Sequence, residues 1–167
     1  MNPKWFGDSY DIVKRFFIEI LSQSGYRVYF DPMFTGDWGG REQDFYNFMG
    51  AHPIRDLSED DKRTALFLDP DTGIGKNTSD RHTTINEIVP KLSRHDIVLV
   101  FDQSFSRGKA SNRQMLEKLR LLSSLGATGF YFDSHAKFLF ASNDHDALTA
   151  VRTKLLDIGI PTSRLIQ

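Results

Sequence analysis

Ala65-Leu66-Phe67-Leu68-Asp69-Pro70-Asp71-Thr72-Gly73 decides how the rest of the chain reads. Four apolar residues run straight into two acids, a proline and a glycine. A short apolar run bounded by turn residues predicts a buried strand, with its acids presented at the C-terminal end. In open α/β sheets that edge is where ligands bind.

The pattern recurs on both sides of this stretch. Tyr26 to Asp31 predicts a first strand closed by an acid and by Pro32. Ile97 to Asp102 is nearly unbroken Val, Ile and Leu, which marks a strand covered on both faces. Phe130 to Asp133 predicts another, followed by a tight turn at Ser134-His135 and a hairpin return over Lys137 to Ala141. Ile160 to Ile166 can add a short edge strand.

Helical spacing separates these runs. Asp8 is a good N-cap for a first helix with Asp11 in its first turn. Ile12, Val13, Phe16, Phe17, Ile20 and Leu21 form its apolar face, and Ser24-Gly25 ends it. Residues 41–49 predict a short helix on Phe45, Phe48 and Met49. Thr84 to Arg94 predicts another, bent by Pro90 unless that residue lies near an end. Residues 111–124 and 147–158 complete the set. Residues 41–64 contain no convincing strand, and the stretch between Asp31 and Asp69 is short for two further βα units, which need roughly 30 residues each. Strands alternating with helices argue for one domain over residues 1–167. The expected fold is an α/β, three-layer, Rossmann-like sandwich, with a mostly parallel sheet and an antiparallel C-terminal hairpin.

The chain has 167 residues, of which 40% are hydrophobic and fourteen are Phe, enough for a substantial aromatic core. Its formal net charge of -1 gives no global basic field of the kind that announces nucleic-acid binding. With no Cys, thiolate catalysis, disulfides and Cys-ligated zinc are excluded. No apolar run approaches the roughly 20 residues that span a bilayer, and the N-terminus lacks the apolar core of a signal peptide. A cytoplasmic protein without a membrane partner is expected.

Chemistry concentrates at the strand ends. Asp31, Asp69 with Asp71, Asp102 and Asp133 would gather on one rim if their strands are parallel neighbours. Hard cations take oxygen ligands, so Asp69, Asp71 and Asp102, with Asp31 or Asp37, could hold Mg²⁺ or Mn²⁺ in a phosphodiesterase or nuclease. The Asp-Pro-Asp-Thr-Gly run looks like the acidic pair of topoisomerase–primase domains. Glycines at 36, 39 and 40 follow the first strand and can let backbone amides approach a phosphate or cofactor.

A wider resemblance covers most of the chain. Gly7-Asp8-Ser9-Tyr10-Asp11-Ile12-Val13-Lys14-Arg15 resembles the Gly-Asn-x-x-Asp-Val-Leu-Lys-His segment of a ribosomal-RNA adenine-N6 methyltransferase family. Val28 to Gly36 falls where that family has a strand, an Asp and its S-adenosylmethionine loop. Leu66 to Asp71 falls where it has Asp-Pro-Pro-Tyr. The chain also resembles small uncharacterised bacterial and phage proteins that share the opening and the Asp-Pro-Asp. The methyltransferase resemblance implies a methyltransferase-like fold and S-adenosylmethionine as cofactor, held near Asp31, Gly36, Asp37 and Asp11. It implies that Asp69 accepts a hydrogen bond from the target amino group, with Asp71 beside it and Lys14 orienting it. The sequence departs from that family at Asp71, at Thr72 in place of a stacking aromatic, and in the loop after Asp31, which is not Gly-x-Gly.

Three functional expectations follow: a nucleic-acid- or nucleotide-modifying enzyme, a metal-dependent nuclease, or a binding protein that keeps the fold without the chemistry. Lys14, Arg15, Arg107, Lys109 and Arg113 read as solvated, although Lys14 and Arg107 would meet a phosphate if they flank the rim. Trp38 can stack a base or pack; Phe105 reads as packing. His52, His82, His95 and His145 show no metal-ligand spacing.

Overall fold

The computed structural model describes residues 1–77, 79, 81–105 and 110–167, so Arg107 and Lys109 lie outside the described residues. Asp8 caps the first helix, α1 (Ser9–Gln23), its carboxylate accepting from the Tyr10 and Asp11 amides at 2.8 and 3.0 Å. β1 (Arg27–Asp31) follows, then α2 (Glu42–Met49), β2 (His52–Pro53) and β3 (Thr64–Leu68). α3 (Ile85–Lys91), β4 (Ile97–Asp102), α4 (Ser111–Ser124) and β5 (Thr128–Phe132) come next. β6 (Lys137–Ser142), α5 (His145–Asp157) and β7 (Leu165–Ile166) complete the chain.

The strands form one seven-stranded sheet in the order β2-β1-β3-β4-β6-β5-β7. β2, β1, β3 and β4 are parallel, and β6 runs antiparallel between β4 and β5. β5 therefore points the same way as β4, and the C-terminal ends of β1, β3, β4 and β5 share one edge. The strand that residues 41–64 seemed to lack exists as the two residues of β2, paired through Tyr29↔His52 and Phe30↔Pro53.

Alternation along the strands loads both faces. Phe30, Phe67, Leu99 and Phe138 face α1, α2 and α5; Tyr29, Leu66, Leu68 and Val100 face α3 and α4. β3 and β4 are buried along their whole length, as their apolar runs predict. The result is an α/β fold with helices on both faces of a mixed sheet.

Two expectations change. The buried face of α1 is Asp11, Lys14, Phe17, Ile18, Ile20 and Leu21, while Ile12 is 54% exposed. The stripe is rotated from the one Ile12 and Phe16 suggested, because packing beneath the sheet edge draws in a lysine. α3 keeps Pro90 inside its last turn and stops at Lys91. Ser134-His135 forms the β5–β6 turn as expected, with Ser134 Oγ donating to the Ala136 carbonyl. No helix among the described residues is long and apolar enough to cross a membrane.

Candidate active site

Asp69 follows β3 directly, and its amide donates to the Asp31 carbonyl at 2.9 Å, so the strand pairing continues one residue into the edge. The chain then turns through Pro70 to Gly73 and passes close over the end of β4. A side-chain carbon at Gly73 would lie 2.3 Å from Asp102 Oδ1 and 2.5 Å from the Gln103 amide, and its φ of +87° is left-handed. Only glycine meets both conditions.

α1 delivers the counter-charge. Asp11 sits in its first turn and accepts the Gly7 amide at 2.9 Å. One turn on, Lys14 Nζ donates to Asp11 Oδ1 at 3.0 Å and to Asp69 Oδ2 at 2.8 Å. The ammonium also lies 4.8 Å from the centre of the Phe101 ring, a cation–π contact. All three charged groups are buried, with Lys14 only 3% exposed. The solvated reading of Lys14 is thereby corrected: its stem and head are enclosed by the sheet edge.

Two carboxylates share this one ammonium. Burial pushes the Asp69 carboxyl up from its ordinary value, against the opposing pull of Lys14. Burial alone would lower Lys14, but Asp69 and Asp11 together outweigh it and hold the ammonium above its usual range. Asp69 Oδ1 accepts no hydrogen bond among the described residues. Asp69 and Lys14 line a cavity of about 390 Å³, together with Asp11, Asp71, Trp5 and Tyr10.

The remaining sequence-derived site residues divide among different places. Asp71 lines the same cavity, but its carboxylate pairs with the Met1 ammonium at 2.9 Å and lies 3.7 Å from Arg81. The four residues expected around the cofactor are not brought together. Asp11 is committed to Lys14, Asp37 caps the Gly39 amide at 2.8 Å, and Gly36 sits exposed against Asn2. Asp31 lines a separate cavity of about 710 Å³ on the α3 side, walled by Ile54, Leu57, Leu66 and Leu68. Trp38 is buried and packs on Phe34 and Phe45, which settles its role as core.

The expected trio of metal ligands does not converge either. Asp102 is 1% exposed and turned toward α4. Its Oδ1 accepts from the Ile74 amide, the Ser104 amide and Ser104 Oγ; its Oδ2 accepts from Lys118 and from the Tyr131 hydroxyl at 2.8 Å. Such saturation holds the loop after β3 against the end of β4. Among the described residues no three His, Asp or Glu side chains are placed to hold a metal ion. Asp133, the fourth strand-end acid, pairs with Lys137.

Lys118 and Tyr131 were not singled out from the sequence. A signal was present for Lys118: it falls at helical spacing between Met115 and Leu122, the buried residues of α4.

Comparison with known proteins adds no relative: no family model, curated protein or solved structure matches the chain.

Proposed function

We propose that the chain is a nucleic-acid- or nucleotide-modifying enzyme whose substrate group enters the Lys14–Asp69 cavity. The observation that carries this reading is the buried Asp69, with one oxygen fixed by Lys14 and the other without a hydrogen bond among the described residues, at the wall of a cavity on the ligand-binding edge of the sheet. Asp69 accepts a hydrogen bond from an amino group of the substrate. Lys14 fixes the carboxylate and balances its charge, and Asp11 fixes Lys14.

The sheet order supports the finer reading of a Rossmann-like, methyltransferase-like fold. The antiparallel β6 lies between two strands that run the other way, and the Asp-Pro-Asp run ends the strand beside β1. S-adenosylmethionine, which supplies a methyl group when bound, fits one of its four expected residues. Asp31 offers a carboxylate to a slot of nucleoside-compatible size, lined on one part by Ile54, Leu57, Leu66 and Leu68 and on another by polar groups that include His82, Asn86 and Lys91. Gly36, Asp37 and Asp11 take no part in that slot.

The test pairs binding with transfer. Calorimetry with S-adenosylmethionine and S-adenosylhomocysteine is expected to show binding that Asp31→Ala weakens and Asp69→Asn leaves intact. Incorporation of labelled methyl groups into RNA or DNA is expected to be lost in Asp69→Asn. A wild-type chain that binds neither adenosyl compound would overturn the methyl-transfer reading.

A further inference from the structure

His95 lies where the chain enters β4, buried to 5% exposure, yet only one of its ring nitrogens is engaged. Thr64, the first residue of β3, decides which. Its hydroxyl donates its single hydrogen to the Arg94 carbonyl at 3.0 Å, so toward His95 Nδ1, also at 3.0 Å, the oxygen can only accept. Nδ1 therefore carries the ring hydrogen, and Nε2 is a bare acceptor. Nε2 has no hydrogen-bond partner among the described residues. It is not sealed in either, because the one enclosed side-chain polar atom without a partner among those residues is Arg152 Nε. Nδ1 is turned toward Thr64, which borders only a smaller recess of about 340 Å³. Nε2, across the ring, is left to the cavity of about 710 Å³ on the α3 side.

That end of the cavity is positively charged. Lys91 and Arg94 line it, and neither forms an ion pair among the described residues. Burial first, then Arg94 and Lys91, hold the imidazole neutral, its value down at about 4. Glu87, the acid on the same wall, is turned back to the start of α3, where its carboxylate accepts the Thr84 amide at 2.9 Å. The Asp31 end is remote: β3 runs about 13 Å from Thr64 to Leu68, the register partner of Asp31. Two unpaired cations beside a bare acceptor match an anion that also carries a hydroxyl hydrogen, and a sugar phosphate has both.

We propose that the His95 end of the α3-side cavity binds a phosphate ester bearing a nearby hydroxyl, with Lys91 and Arg94 meeting the phosphate and His95 Nε2 accepting from the hydroxyl. This site is separate from the Lys14–Asp69 cavity and does not depend on the chemistry assigned there. An ester without the hydroxyl leaves Nε2 facing an anion with no hydrogen between them, so the site discriminates between the two.

The experiment titrates the full chain with ribose 5-phosphate and with n-pentyl phosphate, which keeps the phosphate and lacks hydroxyls. Binding is measured by calorimetry and on the His95 ring nitrogens by NMR, identified by their absence in His95→Gln. The unliganded chain is expected to show the Nδ1–H tautomer. Ribose 5-phosphate is expected to bind, to shift Nε2, and to bind at least about tenfold more tightly than pentyl phosphate. Lys91→Gln and Arg94→Gln, both at the cavity rim, are each expected to weaken it by roughly tenfold while leaving the Nδ1–H tautomer in place. An Nε2–H tautomer in the unliganded chain, equal binding of the two esters, or binding untouched by both rim substitutions would overturn the site. UMP separates two sources of the same chemistry: tighter binding than ribose 5-phosphate assigns a nucleotide with its base over Leu57 and Leu66, and equal or weaker binding assigns a free sugar phosphate. Binding of ribose 5-phosphate without binding of S-adenosylhomocysteine upholds this site and removes only the methyl-transfer reading.

Discussion

Lys14 carries one positive charge between two carboxylates that water scarcely reaches, so its removal is a severe test of the cluster. Breaking a buried pair by deleting one partner leaves an uncompensated charge and costs about 3–5 kcal/mol. Lys14→Met is expected to lower stability by about that amount in urea denaturation, and combining it with Asp69→Asn is expected to recover part of the loss. A double variant no more stable than Lys14→Met would show that electrostatics is not the cause. Asp69 itself was legible, because an acid directly after an apolar run has few places to go but the sheet edge. The burial of Lys14 was not. The spacing of 14 with Phe17, Ile18 and Leu21 places it on the buried stripe, but a lysine at such a position usually runs its stem along the surface and leaves its head in water. What overrides that habit is a pair of carboxylates, one of them 55 positions away in the chain.

α1 carries Tyr10, Asp11 and Lys14 in its first two turns, so the site depends on how firmly that helix begins. Asp8→Ala removes a side-chain acceptor for the Tyr10 and Asp11 amides and is expected to cost about 1 kcal/mol. Chemical denaturation measures the loss. The Tyr10–His135 stack, with ring centres 5.7 Å apart, should loosen with it, read as increased mobility of the His135 ring by NMR. Long periodic elements were readable in advance, since β3, β4, α4 and α5 announce themselves by apolar runs or helical spacing. β2 was not. Two residues, one of them proline, give no pattern to detect, and they form a strand only because β1 supplies the pairing partner. The pairing of Lys118 and Tyr131 with Asp102 is likewise tertiary, since it joins α4 to β4 and β5.

At the scale of the whole molecule, the two faces of the sheet separate the two cavities and the two buried polar clusters described above, and part of the acid response comes from His95, which belongs to neither cluster. His95 is 5% exposed, with Nδ1 at 3.0 Å from Thr64 Oγ1. Burial, reinforced by Arg94 and Lys91, pushes its imidazole from 6.5 down to about 4. The unfolded chain therefore takes up a proton that the folded chain refuses. This contribution to stability is complete above pH 6.5 and is lost as pH falls through 4. Asp69, whose value is raised, works in the opposite direction, its contribution declining as pH rises through its folded value. His95→Gln is expected to flatten the loss of stability between pH 6.5 and 4 in denaturation curves; an unchanged slope would refute the assignment. From the sequence His95 shows no metal-ligand spacing, and nothing local reveals that Thr64 and the α3 end enclose it. The general alternation of helix and strand was legible, whereas the division of the strand-end acids between opposite faces depended on side-chain directions at the sheet edge. The outermost strands carry one last consequence. β2 and β7 are each two residues long, and the second residue of β2 is a proline without an N–H to offer. A neighbouring copy finds only a short row of backbone donors and acceptors on which to extend the sheet, so the margins of this fold resist the strand-by-strand growth that leads to aggregation.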